Sequence, residues 1–203
     1  MKKTLTTLLP LLFAALALTG CDPQEANSQR DLEYLLNSEE GQRMTADELA
    51  NMSRSGSQKM KGAGIEVHLP VTSADTRPVA GTAYIAEDST SLVFTLYDAT
   101  DTLNTVGTVD VEWHQDHWGN SHRSGQPPVS ASYYVQSRGK GIYTFYSYQK
   151  EYDNYGNAVL DADGNAVTNI FFEGMLVFVY PDADSLLITR GHPDTEHTYR
   201  SEK

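Results

Sequence analysis

From Ile65 onward the chain alternates apolar and polar positions, with Ile65, Val67 and Leu69 set against Glu66 and His68. A period of two sends successive side chains to opposite faces of an extended strand, so the pattern predicts strands with one buried and one solvated face. Segments enriched in β-branched and aromatic residues predict further strands over 79–86, 91–97, 105–114, 129–136, 142–149, 167–180 and 186–190. Turn-forming runs such as Arg138-Gly139-Lys140-Gly141 and Pro181-Asp182 separate several of them. About eight strands with no ten-residue helical pattern between them predict a mainly β domain, an antiparallel β-sandwich or small β-barrel. Its expected core draws on Phe94, Leu96, Val109, Val111, Trp113, Ile170, Phe172, Leu176 and Phe178.

Residues 22–64 follow a different pattern, poor in aromatic and β-branched residues and rich in Ser, Gln, Asn, Glu and Gly. Two short helical motifs interrupt this stretch. Ser28 and Asp31 precede Leu32, Leu35 and Leu36, and Thr45 with Glu48 has the spacing of a capping box ahead of Leu49 and Met52. Helices this short are marginal alone in water, so they are expected to dock on the following domain or on a partner, or to stay partly disordered. The run over 53–64, SRSGSQKMKGAG, reads as a linker. The β domain is therefore preceded by a partly helical tether, and the chain divides into 1–20, 21–64, the β domain over 65–190 and a polar tail over 191–203.

At the amino terminus Lys2 and Lys3 precede an apolar run over 8–18, interrupted only by Pro10. Eleven helical residues rise about 16 Å, well short of a hydrocarbon core of roughly 30 Å. The segment reads as a secretory signal peptide and not as a span. It ends in Leu18-Thr19-Gly20-Cys21, which resembles the lipobox of bacterial lipoproteins. The resemblance covers the first 21 residues. It implies cleavage before Cys21, a thioether-linked diacylglycerol and an acyl chain on that residue, and anchorage to the lipid bilayer through those chains. Asp22, directly after the lipidated position, resembles the signal that retains such proteins in the inner membrane. The implied location is the bacterial cell membrane, facing the periplasm, with the inner membrane favoured over the outer.

Cys21 is the sole cysteine, so the domain folds without an internal disulfide. The formal charge is −12, and removal of residues 1–20 takes away Lys2 and Lys3 and no acidic residue, leaving −14. Such a surface repels phosphate backbones and anionic headgroups, which argues against nucleic acid as a partner.

The stretch from Glu112 to His122 concentrates three of the six histidines. On a strand Glu112, His114 and Asp116 share the face opposite Val111 and Trp113. With His117, and with His122 brought back by a turn at Gly119-Asn120, they form a candidate metal set whose imidazole and carboxylate ligands suit zinc or copper. The same alternation is what any solvent-facing strand shows. His192 and His197 form a second pair. Asp161-Ala162-Asp163-Gly164-Asn165 has the acidic spacing of a calcium loop, but Ala166 and Phe172 occupy the positions where an EF-hand needs glycine and glutamate. Gly156-Asn157-Ala158-Val159 recurs as Gly164-Asn165-Ala166-Val167, which reads as two turns of one β ribbon.

Tyr133, Tyr134, Tyr143, Tyr146 and Tyr148 fall on two adjacent predicted strands and form a candidate binding face, able to stack sugars or contact a protein. Simple β propensity with hydroxyls at the sheet margin explains the same residues. GxSxG, P-loop and strand-linked GxGxxG motifs are absent from the sequence. The expected function is that of a non-catalytic envelope lipoprotein without a cofactor, whose β domain binds another envelope protein or a cell-wall glycan. The alternative is a metal-binding protein or metal-dependent enzyme built on the 112–122 cluster.

Overall fold

The computed structural model describes residues 32–49, 75–97, 101–114, 129–190 and 196–202. Eight antiparallel strands follow one another: β1 (Ala83–Ile85), β2 (Ser91–Leu96), β3 (Thr105–Trp113), β4 (Val129–Gly139), β5 (Ile142–Lys150), β6 (Thr168–Val179), β7 (Ser185–Thr189) and β8 (His197–Ser201). Each pairs with its neighbours in sequence, and β8 returns to β1 through Tyr84↔Ser201 and Ile85↔Arg200, closing a barrel. Of the two architectures the pattern allows, the chain adopts the barrel, which leaves no sheet edge unpaired. The alternation over 65–69 and the lipobox lie outside the described residues.

The interior is filled with side chains. Phe94, Val109, Val111, Phe145, Val177 and Ile188 are buried there, and the Tyr84 ring meets Phe94 edge to face at 5.8 Å and 87°. Leu96 and Trp113 pack against this cluster while partly exposed.

The strand β8 corrects the reading of 191–203 as a polar tail. In His197-Thr198-Tyr199-Arg200-Ser201 only Tyr199 is apolar, so alternation is invisible in the sequence. Yet Tyr199 is fully buried, and its pairing with Leu186 helps seal the last seam.

Ile170, Phe172, Leu176 and Phe178 belong to a second cluster, on the outside of the barrel. From Leu176 to Val179 every residue of β6 is buried. Met175, Val177 and Val179 point inward, whereas Leu176 and Phe178 point out beneath the helical segment 32–49. The near-continuous apolar run of β6 is the mark of a strand covered on both faces.

That segment docks because its apolar positions converge on the wall. Leu32, Leu36 and Leu49 are fully buried against Ile142, Phe172, Leu176, Phe178 and Leu187, each contributing about 1.5–3 kcal/mol. The short helix Glu39–Arg43 is capped by Ser38, whose hydroxyl accepts from the Gly41 N–H. The predicted capping box forms too: Glu48 accepts from the Thr45 N–H at 2.7 Å, and Thr45 Oγ1 accepts from the Glu48 N–H at 3.4 Å. Gly41 is required, since a Cβ there would lie 1.9 Å from the Leu35 carbonyl oxygen.

Arg138 of β4 fastens the segment to the barrel. Its Nη1 donates to the carbonyls of Gly41, Gln42 and Met44, and its guanidinium lies 5.3 Å from the centre of the Phe172 ring. Burial holds this group down at about 10, so it is charged at neutral pH and satisfies carbonyls that the end of a helix leaves open. Lys140, in the tight turn Gly139-Lys140-Gly141, pairs with Asp47.

Candidate binding face

The sequence-predicted tyrosines divide by strand parity. Tyr133 and Tyr143 face the barrel interior: Tyr133 stacks on Phe145 at 5.9 Å and 12°, and the buried Tyr143 donates its hydroxyl proton to the Thr76 carbonyl at 2.8 Å. These two leave the candidate face, because adjacent positions on a strand point to opposite sides. Tyr134, Tyr146 and Tyr148 remain on the outer wall.

Tyr134 and Tyr146 are cross-strand partners whose rings stack at 5.2 Å and 19°. Tyr148 stands across both, at 81° to Tyr134 with centres 5.3 Å apart and at 80° to Tyr146 with centres 5.8 Å apart. Tyr146 is the buried foundation. It shares a 2.7 Å hydrogen bond with Thr105 Oγ1, and burial pushes its hydroxyl up to about 12. Tyr134 and Tyr148 are 38% and 50% exposed, enough ring surface to contact another molecule.

Tyr97 belongs to the same wall and was missed in the sequence because it ends an ordinary-looking strand. It continues the outward row Val93, Thr95 of β2, and its N–H donates to the Val106 carbonyl. Between Tyr97 and Tyr134 the outward positions of β3 hold short side chains, Thr105 and Thr108, the latter paired with Tyr134. The Asp101 carboxylate accepts from the Thr105 N–H at 2.9 Å. The side chain and backbone of Thr105 hold it below the usual aspartate value, so it is ionised at neutral pH. Burial raises the Tyr97 hydroxyl, and the neighbouring Tyr134, Asp101 and Tyr148 raise it further.

Beyond β5 the wall extends into a ribbon over 151–167, where the eight-residue recurrence becomes two hairpins of one kind. In the first, the Asp153 N–H donates to the Asn157 carbonyl, and the Tyr155 and Asn157 N–H groups both donate to Asp153 Oδ1 at 2.9 Å. In the second, the Asp163 and Asn165 N–H groups donate to Asp161 Oδ1 at the same distance. Gly156 and Gly164, at φ 83° and 84°, supply the left-handed residue that closes such a turn. The expected turns therefore form, and the Asp161 carboxylate is engaged by backbone donors.

Glu151, Val159 and Val167 sit eight residues apart and join the pieces. The Glu151 N–H donates to Val167, the Val167 N–H to Val159, and the Val159 N–H to Glu151, at 2.9, 2.8 and 2.9 Å. Two hairpins and the β5–β6 pair thus meet in a closed triangle of backbone hydrogen bonds. The ribbon has no core of its own and exposes Tyr152, Tyr155 and Leu160 by 60%, 90% and 58%.

Of the candidate metal set, the described residues include only Glu112 and His114. Both lie on the outer side at the end of β3, 3.9 Å apart. Asp116, His117, His122 and His192 lie outside the described residues, and among the described residues no group of three or more metal-ligating side chains comes together. His197 opens β8 at the same end of the barrel, beside an open cleft of about 480 Å³ lined by Glu87, Asp88 and Glu196. Cys21 and Asp22 also lie outside the described residues. Among those described, no helix is long and apolar enough to cross a membrane. No protein-family model matches the chain, and comparisons with curated proteins and with solved structures find no match.

Proposed function

We propose that this is a lipid-anchored envelope protein whose barrel binds another envelope protein or a cell-wall component without catalysis. In this reading Cys21 carries the diacylglycerol and acyl chains, Asp22 favours the inner membrane, and the tether and barrel face the periplasm. One observation carries the binding role. Among the described residues, nine large apolar side chains are exposed, and six of them, Tyr97, Tyr134, Tyr148, Tyr152, Tyr155 and Leu160, lie on one wall and its ribbon. The wall over β5 to β7 that is covered by residues 32–49 presents no comparable row. Tyrosine offers large contact area with little entropy to lose, which suits a recognition surface.

The test is site-specific photocrosslinking in intact cells, with the crosslinker at Tyr134, Tyr148 or Tyr155 and a control at Glu39. Capture of the same molecule from all three wall positions, and not from Glu39, supports the reading. Equal capture from every position, or none, rejects it. Labelling with a radioactive fatty acid, lost in Cys21→Ser, tests the anchor separately.

A further inference from the structure

The rings of Tyr134 and Tyr148 meet at 81° with centres 5.3 Å apart, and both are partly open to solvent. Tyr97 rises from the far side of the short Thr105 and Thr108 side chains. In that edge contact one ring turns its rim to the other, and Tyr134 already stacks one face on Tyr146. What the wall offers is therefore the ring surface left exposed on Tyr134, Tyr148 and Tyr97, whose faces carry the negative side of the quadrupole and attract a cation but not an anion. Asp101 places a full negative charge at the rim, and its hydrogen bond from the Thr105 N–H fixes it there. Asp110 and Glu112 extend the same sign along the outer face of β3. The charge of the whole chain, −12, adds to the local field.

We propose that Tyr97, Tyr134, Tyr148 and Asp101 form a binding corner for an alkylammonium cation. The inference rests on reading this wall as a binding face, and it names the chemistry recognised there. A second copy of the chain is disfavoured as the occupant, because two such acidic faces repel each other. An alkylammonium group has two sources, a free or headgroup quaternary amine such as choline and a lysine side chain of another protein. Ring faces attract both, whereas a neutral group of the same shape gains only contact area.

The experiment titrates the purified protein with choline, with Nα-acetyl-lysine amide and with 3,3-dimethylbutan-1-ol, the neutral isostere of choline. Affinity and the ring-current shift of the ligand methyl or methylene protons are followed by NMR. At least one ammonium probe is expected to bind saturably with an upfield shift, about ten-fold or more tighter than the isostere. Choline above lysine identifies the small-molecule source, and lysine above choline identifies a protein side chain. Tyr148→Ala and Tyr134→Ala should each weaken binding by roughly ten-fold, Asp101→Asn by several-fold, while Tyr148→Phe retains it. Thermal unfolding checks each variant, and Tyr97→Ala, at the barrel rim, serves if either tyrosine variant is unstable. Equal binding of choline and its isostere, saturable binding of neither ammonium, or unchanged affinity in folded Tyr148→Ala overturns the proposal. A wall that captures an envelope partner yet ignores both ammonium probes defeats this inference and leaves the binding-face reading standing. Ammonium binding with no captured partner upholds this inference and rejects only the envelope protein or cell-wall component as the occupant of the wall.

Discussion

The carboxamide of Asn37 exchanges two hydrogen bonds of 2.8 Å with the backbone of Phe172: its Nδ2 donates to the Phe172 carbonyl, and its Oδ1 accepts from the Phe172 N–H. Pairing between β5 and β6 jumps there from Thr144↔Leu176 to Tyr146↔Phe172, and the β7 ladder ends at Leu176↔Thr189. Phe172 thus lies where β6 bulges and has outrun its neighbour on one side. Asn37 takes the place of a strand residue, satisfying a buried donor and acceptor that would otherwise be stranded. A single side chain from the tether completes the barrel's backbone pairing.

Asn37→Ala should lower stability by about 1–3 kcal/mol, because both Phe172 groups lose their partner while staying shielded from water. Asn37→Asp should be at least as damaging. A carboxylate still accepts from the Phe172 N–H but has no proton for the carbonyl, which it then repels. Urea unfolding of the three proteins measures this, and a loss below about 0.5 kcal/mol in Asn37→Ala would show that water or a shifted helix replaces the contact.

What the sequence disclosed follows from what local pattern can carry. Strands β1 to β7 were legible because Val109 and Val111 alternate with Thr108, Asp110 and Glu112, because runs of β-branched and aromatic residues mark the others, and the Thr45–Glu48 box announced its helix. The pattern could not say which side of β6 faces the interior, since Leu176 and Phe178 are as apolar as Met175 and Val177. Only the docked segment, more than a hundred residues earlier in the chain, explains that. Closure by β8 was hidden for the complementary reason, one buried tyrosine among four polar residues. For the binding face, composition identified the tyrosines of β4 and β5, parity divided them, and Tyr97 and Asp101 joined only through the barrel's curvature across β3.

The two ribbon turns should loosen in acid. Asp153 is held below the usual aspartate value chiefly by the Asn157 N–H, and Asp161 chiefly by the Asn165 N–H. A carboxylate whose folded value is depressed contributes stability that is present above its unfolded value, near 3.8, and lost as pH falls through the folded one. The amide resonances of Asn157 and Asn165 should accordingly hold steady from pH 7 down to about 4 and shift below it. In Asp153→Asn the Asn157 shift should vanish while that of Asn165 persists. An Asn157 titration unchanged by the substitution would mean that another group, and not Asp153, drives it.

Removing the ribbon should leave the barrel standing and take away part of its recognition surface. Val159 is interposed between two barrel strands: it accepts from the Val167 N–H and donates to the Glu151 carbonyl, while the Glu151 N–H already reaches Val167 directly. If residues 152–166 are replaced by Asn-Gly, the Val167 N–H and Glu151 carbonyl are left facing each other. The pair then has the doubly bonded geometry that a two-residue turn closes. No residue of the ribbon belongs to either buried cluster, so the lost contacts are exposed ones and stability should change by no more than about 1 kcal/mol. Crosslinked capture through Tyr134 should weaken if Tyr152, Tyr155 and Leu160 contribute to the same contact. Full capture by the folded, shortened protein would confine recognition to the barrel wall. Collapse of the barrel on shortening would instead assign the triangle of Glu151, Val159 and Val167 to the framework of the fold.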